Sequence, residues 1–319
     1  MNFEKIEKTT SPRRKSRWQG RAVASKRGPW DEISFTLPTH RKADFVAPGH
    51  DRAHPFLRTV VLEPKDGEEA PIPVAVVGEN YGLLQHVEIG QVIVNALKDL
   101  GVYYSLMPCT LEISEFGEWA HFRFELDDDF ALTPPDGHRI GFCIEIFNSV
   151  DGSSRLLMTT SWLRQICDNG LVARENSDLE LSRIHDRNLA LNEVRRTLKT
   201  ALERVREDGK VLQKWWATQF SSGLSTWIDQ TLTPRWGKMK AARVHSICRS
   251  GHDGDPERFV QKPASEMDIG AKKRVPGAPH EAKSIYDLAQ ALSWVAGTIE
   301  NVEDRRRHIA DIPKLVETI

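Results

Sequence analysis

The chain has 319 residues, of which 39% are hydrophobic and 28% charged, as is ordinary for a folded protein. No apolar run approaches the roughly 18 residues that a membrane span needs, and no apolar segment follows the basic N-terminus as in a signal peptide. We therefore expect a cytoplasmic protein without a membrane partner. The four cysteines form no CxxC pair, which argues against a disulfide framework and a zinc ribbon. The sequence predicts no metal and no cofactor.

The net charge of −1 hides an uneven distribution along the chain. Residues 1–30 hold nine Lys or Arg against two Glu, a balance of +7, whereas residues 61–137 hold fifteen acids against three bases, a balance of −12. Such asymmetry favours interaction with nucleic acid, or an arm that binds its own body. We predict that residues 1–30 are a disordered basic arm, for which a solubilising tail is the alternative.

The next part of the chain predicts a sheet with a helix. Short extended pieces at 56–62 and 72–78 are separated by Pro and Gly. Helical spacing of apolar residues follows over 87–100 and ends at Gly101. Three segments of alternating polar and apolar residues come next and predict strands. The first ends at about 116 and is joined to the second, at 119–126, by a Gly117-Glu118 hairpin turn. The third covers 139–149. This order implies a mostly antiparallel sheet with a helix on one face.

Helices are predicted to dominate from Ser161 onward. The clearest covers about 186–220, where apolar residues recur every three or four positions and basic residues form the outer face. Its stripe favours packing within the subunit over a coiled coil. Residues 234–280 lack periodicity and predict a basic loop or insertion, and a last helix starts near Ser284.

The predicted fold is therefore α+β, with a mostly antiparallel sheet covered by helices and a helical second half. The α+β core comprises residues 31–233 and 281–319. The arm at 1–30 and the basic insertion at 234–280 lie outside it.

The segment NSVDGSSRL at 148–156 predicts a strand-to-turn transition. On the structural interpretation, Asp-Gly supplies the turn and the serines bond exposed backbone groups. On the functional interpretation, the turn and Arg155 bind a phosphate. The motif residues are Asn148, Asp151, Gly152, Ser153 and Ser154.

The segment WLRQICDNGLV at 162–172 predicts the end of a helix capped by Gly170. Arg164 is either a buried ion pair with the acidic first half or a second phosphate contact, and Asn169 completes the motif. Cys167 as a nucleophile would need His185 as its base, and a buried cysteine is the commoner case. We therefore predict no catalytic residue.

These segments, with RIH at 183–185 and SIYDLAQALSWVA at 284–296, resemble the phage/plasmid-like protein family known as domain of unknown function 932. That family has an Asn-Ser-x-Asp-Gly-Ser element, an Arg-x-x-Cys-x-Asn element, a later histidine and a Tyr-Asp helix near its end. The resemblance covers residues 75–310, although this chain has Val150 where many relatives have His. It implies a protein of mobile elements in a bacterial cytoplasm, and its element order is similar to that of single-strand annealing proteins.

Nucleic-acid binding without catalysis is the leading functional prediction, with single-stranded DNA favoured and a homo-oligomer expected. Trp236 is predicted to be an exposed stacking residue within a basic cluster. The predicted phosphate contacts are Arg155, Arg164, Arg183, Arg187, Arg235, Lys238, Lys240 and Arg243.

Two other functions stay open. One is a metal-dependent enzyme that acts on nucleic acid through Asp151, His185 and Asp186. The other is a protein-interaction or counter-defence factor that binds a partner through the acidic surface. ATP hydrolysis and nicotinamide chemistry are disfavoured because neither GxxxxGK[ST] nor GxGxxG occurs.

Overall fold

A computed structural model describes most of the chain in two compact units. The first unit comprises Met1–Leu126, Cys143–Thr160 and Asp178–Glu203, and the second comprises Asp127–Phe142, Ser161–Ser177 and Arg204–Ile319. The residues described are 4–5, 23–64, 70–126, 128–164, 169–171, 181–183, 185, 192–220, 223–258, 261–299 and 302–319.

Strands dominate the first half of the chain and helices the second. The elements up to residue 149 are β1 (Glu4–Lys5), β2 (Val23–Pro29), α1 (Trp30–Ser34), β3 (His40–Asp44), β4 (Leu57–Leu62), β5 (Ile72–Gly78), α2 (His86–Asp99), β6 (Pro108–Ser114), β7 (Trp119–Glu125), β8 (Ala131–Leu132) and β9 (Ile140–Ser149). They are followed by β10 (Leu156–Arg164), β11 (Asn169–Leu171), β12 (Leu181–Arg183), α3 (Asn192–Ala217), α4 (Leu224–Trp227), α5 (Thr233–Trp236), α6 (Lys238–Ser250), β13 (His252–Pro256), β14 (Ile269–Arg274), α7 (Ile285–Gly297) and α8 (Val302–Val316).

The strands form antiparallel sheets. The largest has the order β1-β2-β6-β7-β9-β10-β11, with β8 beside β9 and β12 beside β10. A second sheet has the order β3-β4-β5, and β13 pairs with β14. Antiparallel sheets followed by a helical second half confirm the predicted α+β fold.

Trp30 connects helix α2 to the sheet in the core of the first unit. Its ring lies 5.8 Å from the rings of both Phe122 and Phe124, and a Cβ at Gly90 of α2 would lie 1.9 Å from it. Only glycine at position 90 therefore lets the helix approach the indole this closely. The indole nitrogen donates to Gln91 Oε1 at 3.2 Å.

The end of the predicted disordered arm belongs to the sheet. Residues 23–29 form β2, which pairs with β6 along its whole length, so disorder up to residue 30 is wrong for this part. The reason is that the sequence of β2 is polar and is ordered by backbone hydrogen bonds to a neighbour about 85 residues away. Residues 1–3 and 6–22 of the predicted arm lie outside the described residues.

Two further predictions about secondary structure are corrected. Residues 162–164 pair with 169–171 as antiparallel strands and do not end a helix, because they extend a strand already paired in the sheet. The predicted loop at 234–280 contains α6 and the β13–β14 hairpin. Helix α6 is short, and two of its buried side chains are alanines, so its apolar periodicity is weak.

Two predicted helices are confirmed. The apolar stripe of α3, from Val194 to Trp215, is buried, although residues 186–191 of the predicted helix lie outside the described part. Helix α7 begins at Ser284 with a capping box formed with Asp287, and its apolar residues are buried in the second unit.

Candidate functional site

The side chains of the 148–155 segment close a tight turn between β9 and β10 in the first unit. Asp151 Oδ1 accepts the backbone N–H of Ser153 at 2.9 Å. The Ser149 hydroxyl accepts the backbone N–H of Ser154 at 3.1 Å and donates to its carbonyl at 3.0 Å. These bonds agree with the structural interpretation of the motif, because Ser149 and Asp151 bond the backbone of the turn itself.

Tyr81 and His185 meet beside this turn. The Tyr81 hydroxyl lies 2.6 Å from His185 Nδ1 and donates to the Ser149 carbonyl at 3.0 Å. Because a hydroxyl has one proton, Nδ1 of His185 is the donor to Tyr81, and Nε2 carries the lone pair. His185 is only 5% exposed, and its Nε2 has no hydrogen-bond partner among the described residues.

Burial controls protonation at this pair. It lowers the pKa of His185 to about 4, against a smaller opposing effect of the Asp151 carboxylate. It also raises the pKa of Tyr81 above its ordinary value. Both side chains are therefore neutral at pH 7. Sequence reasoning selected His185 but missed Tyr81, since nothing local connects residues 104 positions apart.

A second buried network lies at the first turn of α2. His86 Nε2 donates to the Gly117 carbonyl at 2.7 Å, and its Nδ1 accepts from the Asn148 amide at 2.9 Å. Burial lowers the pKa of His86 to about 3, so the ring stays neutral. Asn148 also donates to the Leu84 carbonyl at 3.2 Å and thereby connects β9 to the start of α2.

The contacts of Asp151 and His185 give little support for a metal site. Within the described ranges, no three His, Cys, Asp or Glu side chains are grouped so that they could hold a metal ion. Asp151 and His185 interact electrostatically, whereas Asp186 lies outside those ranges. Cys167 lies outside them too, and Asn169 is described only as backbone in β11.

Arg164 is a buried structural residue of the second unit. It is 2% exposed, forms an ion pair with Asp136 and donates to the Gly277 carbonyl at 3.0 Å. The phosphate contact predicted for Arg164 is therefore wrong, and its predicted ion pair with the acidic first half is confirmed. Asp136 lies 28 residues earlier in the chain, so only the fold brings the two charges together.

The predicted binding cluster at 235–243 is largely internal. Trp236 is 4% exposed and donates its indole N–H to Asp311 at 3.0 Å, so it is not an exposed stacking residue. Arg235 forms an ion pair with the same carboxylate at 3.3 Å. Arg243 binds Asp253 through two nitrogens at 2.8 and 2.5 Å. Asp311 and Asp253 thus neutralise the two arginines, although Asp253 lies only 10 residues from Arg243.

The remaining predicted cations differ in exposure. Lys238 and Lys240 are half-buried, and Lys240 Nζ donates to the Trp236 carbonyl at 3.3 Å. Arg155 is exposed beside the turn of the first unit. The side chain of Arg183 and the whole of Arg187 lie outside the described residues.

Sequence reasoning missed a group of exposed cations in the second unit. We call it the β14 patch; it consists of Arg249 at the end of α6 and Lys272, Lys273 and Arg274 on β14. All four side chains are exposed, and no carboxylate of the described residues forms an ion pair with them. Arg274 donates to the backbone carbonyls of Ser250, at 3.0 Å, and Ala278, which fix its position without cancelling its charge. The sequence run AKKR was the available signal, but it was assigned to a loop.

The fold and these sites define an α+β protein with antiparallel sheets. The model of one family, described as Domain of unknown function (DUF932), matches residues 73–249, which is more than half of the chain. The chain therefore belongs to the DUF932 family. No curated protein and no solved structure matches it. Across the described residues, no helix has the length and apolar character required to cross a membrane.

Proposed function

We propose that the protein binds nucleic acid without catalysing a reaction, and that the β14 patch supplies its principal phosphate contacts. The observation that carries the proposal is a group of four exposed cations, three of them consecutive, without an acidic partner among the described residues. Phosphates attract such a group, and the release of their condensed counterions favours binding.

The geometry of β14 makes the patch more than a solvated face. Arg274 pairs in register with His252. Because side chains alternate along a strand, Lys272 lies on the same side of the hairpin as Arg274, and Lys273 lies on the opposite side. The two carbonyls that hold Arg274 orient its guanidinium before a ligand arrives. Preorganisation of this kind reduces the conformational entropy lost on binding.

An ordinary helix end is the competing explanation for part of the patch. A cation such as Arg249 in the last turn of α6 interacts favourably with the helix dipole whether or not a ligand binds. That explanation does not extend to Lys272 and Lys273, which lie on a strand. These two lysines are therefore the residues that test the proposal.

The proposal extends to a cytoplasmic homo-oligomer of a phage, plasmid or other mobile element that binds single-stranded DNA. Support for this setting comes from the resemblance to phage/plasmid-like proteins and from an element order loosely similar to that of single-strand annealing proteins. Light scattering after size exclusion would test the oligomer. A monomer at micromolar concentration would contradict the proposed homo-oligomer but not the proposed nucleic-acid binding.

The direct test is fluorescence anisotropy of labelled single- and double-stranded oligonucleotides at several salt concentrations. If each of the four cations contacts a phosphate, the slope of log K against log salt is about −3 for single strands. Lys272→Gln combined with Lys273→Gln should flatten that slope by about 1.4 and weaken binding about 10-fold near 100 mM salt.

Lys210→Gln combined with Lys262→Gln is the matched control. It removes two exposed lysines of the same unit that already pair with carboxylates, at 2.8 and 3.6 Å, and it changes the net charge equally. Equal affinities and slopes for the two double variants would refute the patch as the binding surface. Absence of binding by the wild type would refute the function.

A further inference from the structure

Exposed apolar side chains are concentrated on the three-stranded sheet of the first unit. Six large apolar side chains are exposed among the described residues, and four of them lie on this sheet or directly beside it. They are Val46 after β3, Phe56 before β4, and Ile72 and Val76 on β5. Val76 is 51% exposed although it lies within a strand. A concentration of this kind indicates a contact with another molecule.

The two edges of this sheet differ in charge. The sheet has the order β3-β4-β5, so β3 and β5 are its edge strands among the described residues. Strand β3 exposes Arg41, Lys42 and Asp44, and charged side chains of this kind keep an edge from pairing with another chain. Strand β5 has the sequence IPVAVVG, which contains no charge. Of the two edges, β5 is therefore the one suited to accept a further strand.

The hydrogen bonds of β5 show which residue offers its backbone at this edge. Glu79, directly after β5, donates its N–H to the Phe56 carbonyl at 2.9 Å and continues the ladder between β4 and β5. Alternate residues of an antiparallel strand bond to opposite neighbours, so Val77 bonds to β4. Val76 consequently directs its N–H and its C=O away from β4, toward the open edge.

Two features shorten the open edge. On one side, Pro73 has no N–H to donate, and the pairing of β5 with β4 shifts its register beside it. On the other side, the Gly78 carbonyl already accepts the N–H of Tyr81 at 3.0 Å in the turn that follows the strand. The open stretch therefore covers residues 74–78, and Val76 lies at its centre.

We propose that β5 pairs with β5 of a second copy of this chain, antiparallel across a two-fold axis at Val76. Val76 of each copy then exchanges two backbone hydrogen bonds with Val76 of the other, and the two side chains lie about 5 Å apart on one face of the joined sheet. This inference deepens the proposed function, because it names the surface that joins the proposed homo-oligomer.

The charge of the two edges favours a second copy as the occupant. Strand β5 has no charge, so pairing it with itself brings no like charges together. The charged β3 edges remain at the two outer ends of the joined sheet, where they prevent the addition of further copies. The assembly therefore closes as a dimer and does not grow into a filament.

Val76→Lys tests the inference by light scattering after size exclusion. The variant places two ammonium groups beside each other across the axis, so its dimer should dissociate at a concentration at least about 10-fold higher than that of wild type. Leu106→Lys is the matched control, since Leu106 is an exposed apolar residue of the same unit that lies outside this sheet. A Val76→Lys dimer as stable as that of Leu106→Lys would overturn the inference.

A mixture of Val76→Lys with Val76→Glu separates self-pairing from the binding of another protein. Each variant alone repels its own copy, whereas a lysine opposite a glutamate attracts it, so the mixture should recover dimers. If the mixture stays monomeric, position 76 does not face itself and the inference fails.

Val76→Cys provides a test that does not depend on a charged variant that folds. Facing residues of this kind have Cα atoms about 5.5 Å apart, which suits a disulfide. Mild oxidation should therefore join Val76→Cys into covalent dimers at least about 5-fold faster than Leu106→Cys. Equal rates for the two variants would contradict the pairing of β5 with itself.

The oligomer and the nucleic-acid binding can fail separately. The Lys272/Lys273 double variant should remain a dimer, because its substitutions lie on β14 in the second unit. A wild type that is monomeric at micromolar concentration would overturn the inference. Salt-dependent binding by that monomer, lost in the Lys272/Lys273 double variant, would still uphold the proposed nucleic-acid binding.

Discussion

The Tyr81 hydroxyl contacts Nδ1 of His185 at 2.6 Å, and both side chains lie beside the turn that follows β9. This contact connects the start of the family-matched segment to a histidine in its second half. The imidazole in this contact is neutral near pH 7, since burial lowers the pKa of His185 to about 4.

Acid should therefore destabilise the protein through His185. The imidazole of His185 takes up a proton near pH 6.5 in the unfolded chain and near pH 4 in the folded chain. The stabilisation from the neutral His185 is therefore complete above pH 6.5 and is lost as pH falls to 4. The loss amounts to at most about 3 kcal/mol. His185→Gln should make the free energy of unfolding, from urea titrations, less dependent on pH across that window. His50→Gln, at an exposed position, is the control. If the unfolding free energy depends equally on pH in His185→Gln and wild type, the effect of acid does not come from His185.

His121 should produce the opposite pH dependence. Burial opposes its charging, but hydrogen bonds to Glu112, at 3.3 Å, and Glu145, at 3.1 Å, raise its pKa above 6.5. Its stabilising contribution is then complete below pH 6.5 and is lost as pH rises through the raised pKa. The unfolding free energy of wild type should fall as pH rises above 6.5 through the raised pKa, and His121→Gln should remove part of that fall. If the unfolding free energy of His121→Gln has the same pH dependence as that of wild type, His121 is not its source.

Gly277→Ala should destabilise the second unit. Gly277 has φ of +69°, and a Cβ there would lie 2.6 Å from Nη2 of the buried Arg164. Backbone strain and the steric clash together should lower the free energy of unfolding by about 3 kcal/mol. Gly101→Ala is the control, because Gly101 has φ of +72° with open space around it, and strain alone should cost about 1–2 kcal/mol. Equal losses for the two variants would show that Arg164 moves aside.

Substitutions of Trp236 and Asp311 should lower the stability of the protein and leave its nucleic-acid affinity unchanged. Asp311→Ala removes the partner of a buried indole N–H and of Arg235, which should lower the free energy of unfolding by about 2 kcal/mol. Trp236→Phe should cost about 1–2 kcal/mol. Anisotropy should give affinities within about twofold of wild type for both variants. A tenfold loss of affinity in Trp236→Phe at unchanged stability would restore Trp236 as a stacking residue.

Local pattern was enough to predict the fold class. Apolar residues recur at helical spacing in α3 and α7, and these patterns predicted both helices. The alternation of polar and apolar residues on either side of Gly117 predicted the β6–β7 hairpin. Such signals are visible in sequence because each element must present one apolar face to a core. The polar strand β2 and the short helix α6 have weak patterns, so composition assigned them to an arm and a loop.

The partners of charged and polar side chains were decided by tertiary structure. The sequence shows that Arg164, Arg243 and Trp236 can bind an anion, but not that Asp136, Asp253 and Asp311 already lie beside them. The same holds for Tyr81 and His185. Ion pairs and hydrogen bonds act over a few ångströms between residues distant in the chain, so their pairing follows from the packed fold and has no period in the sequence.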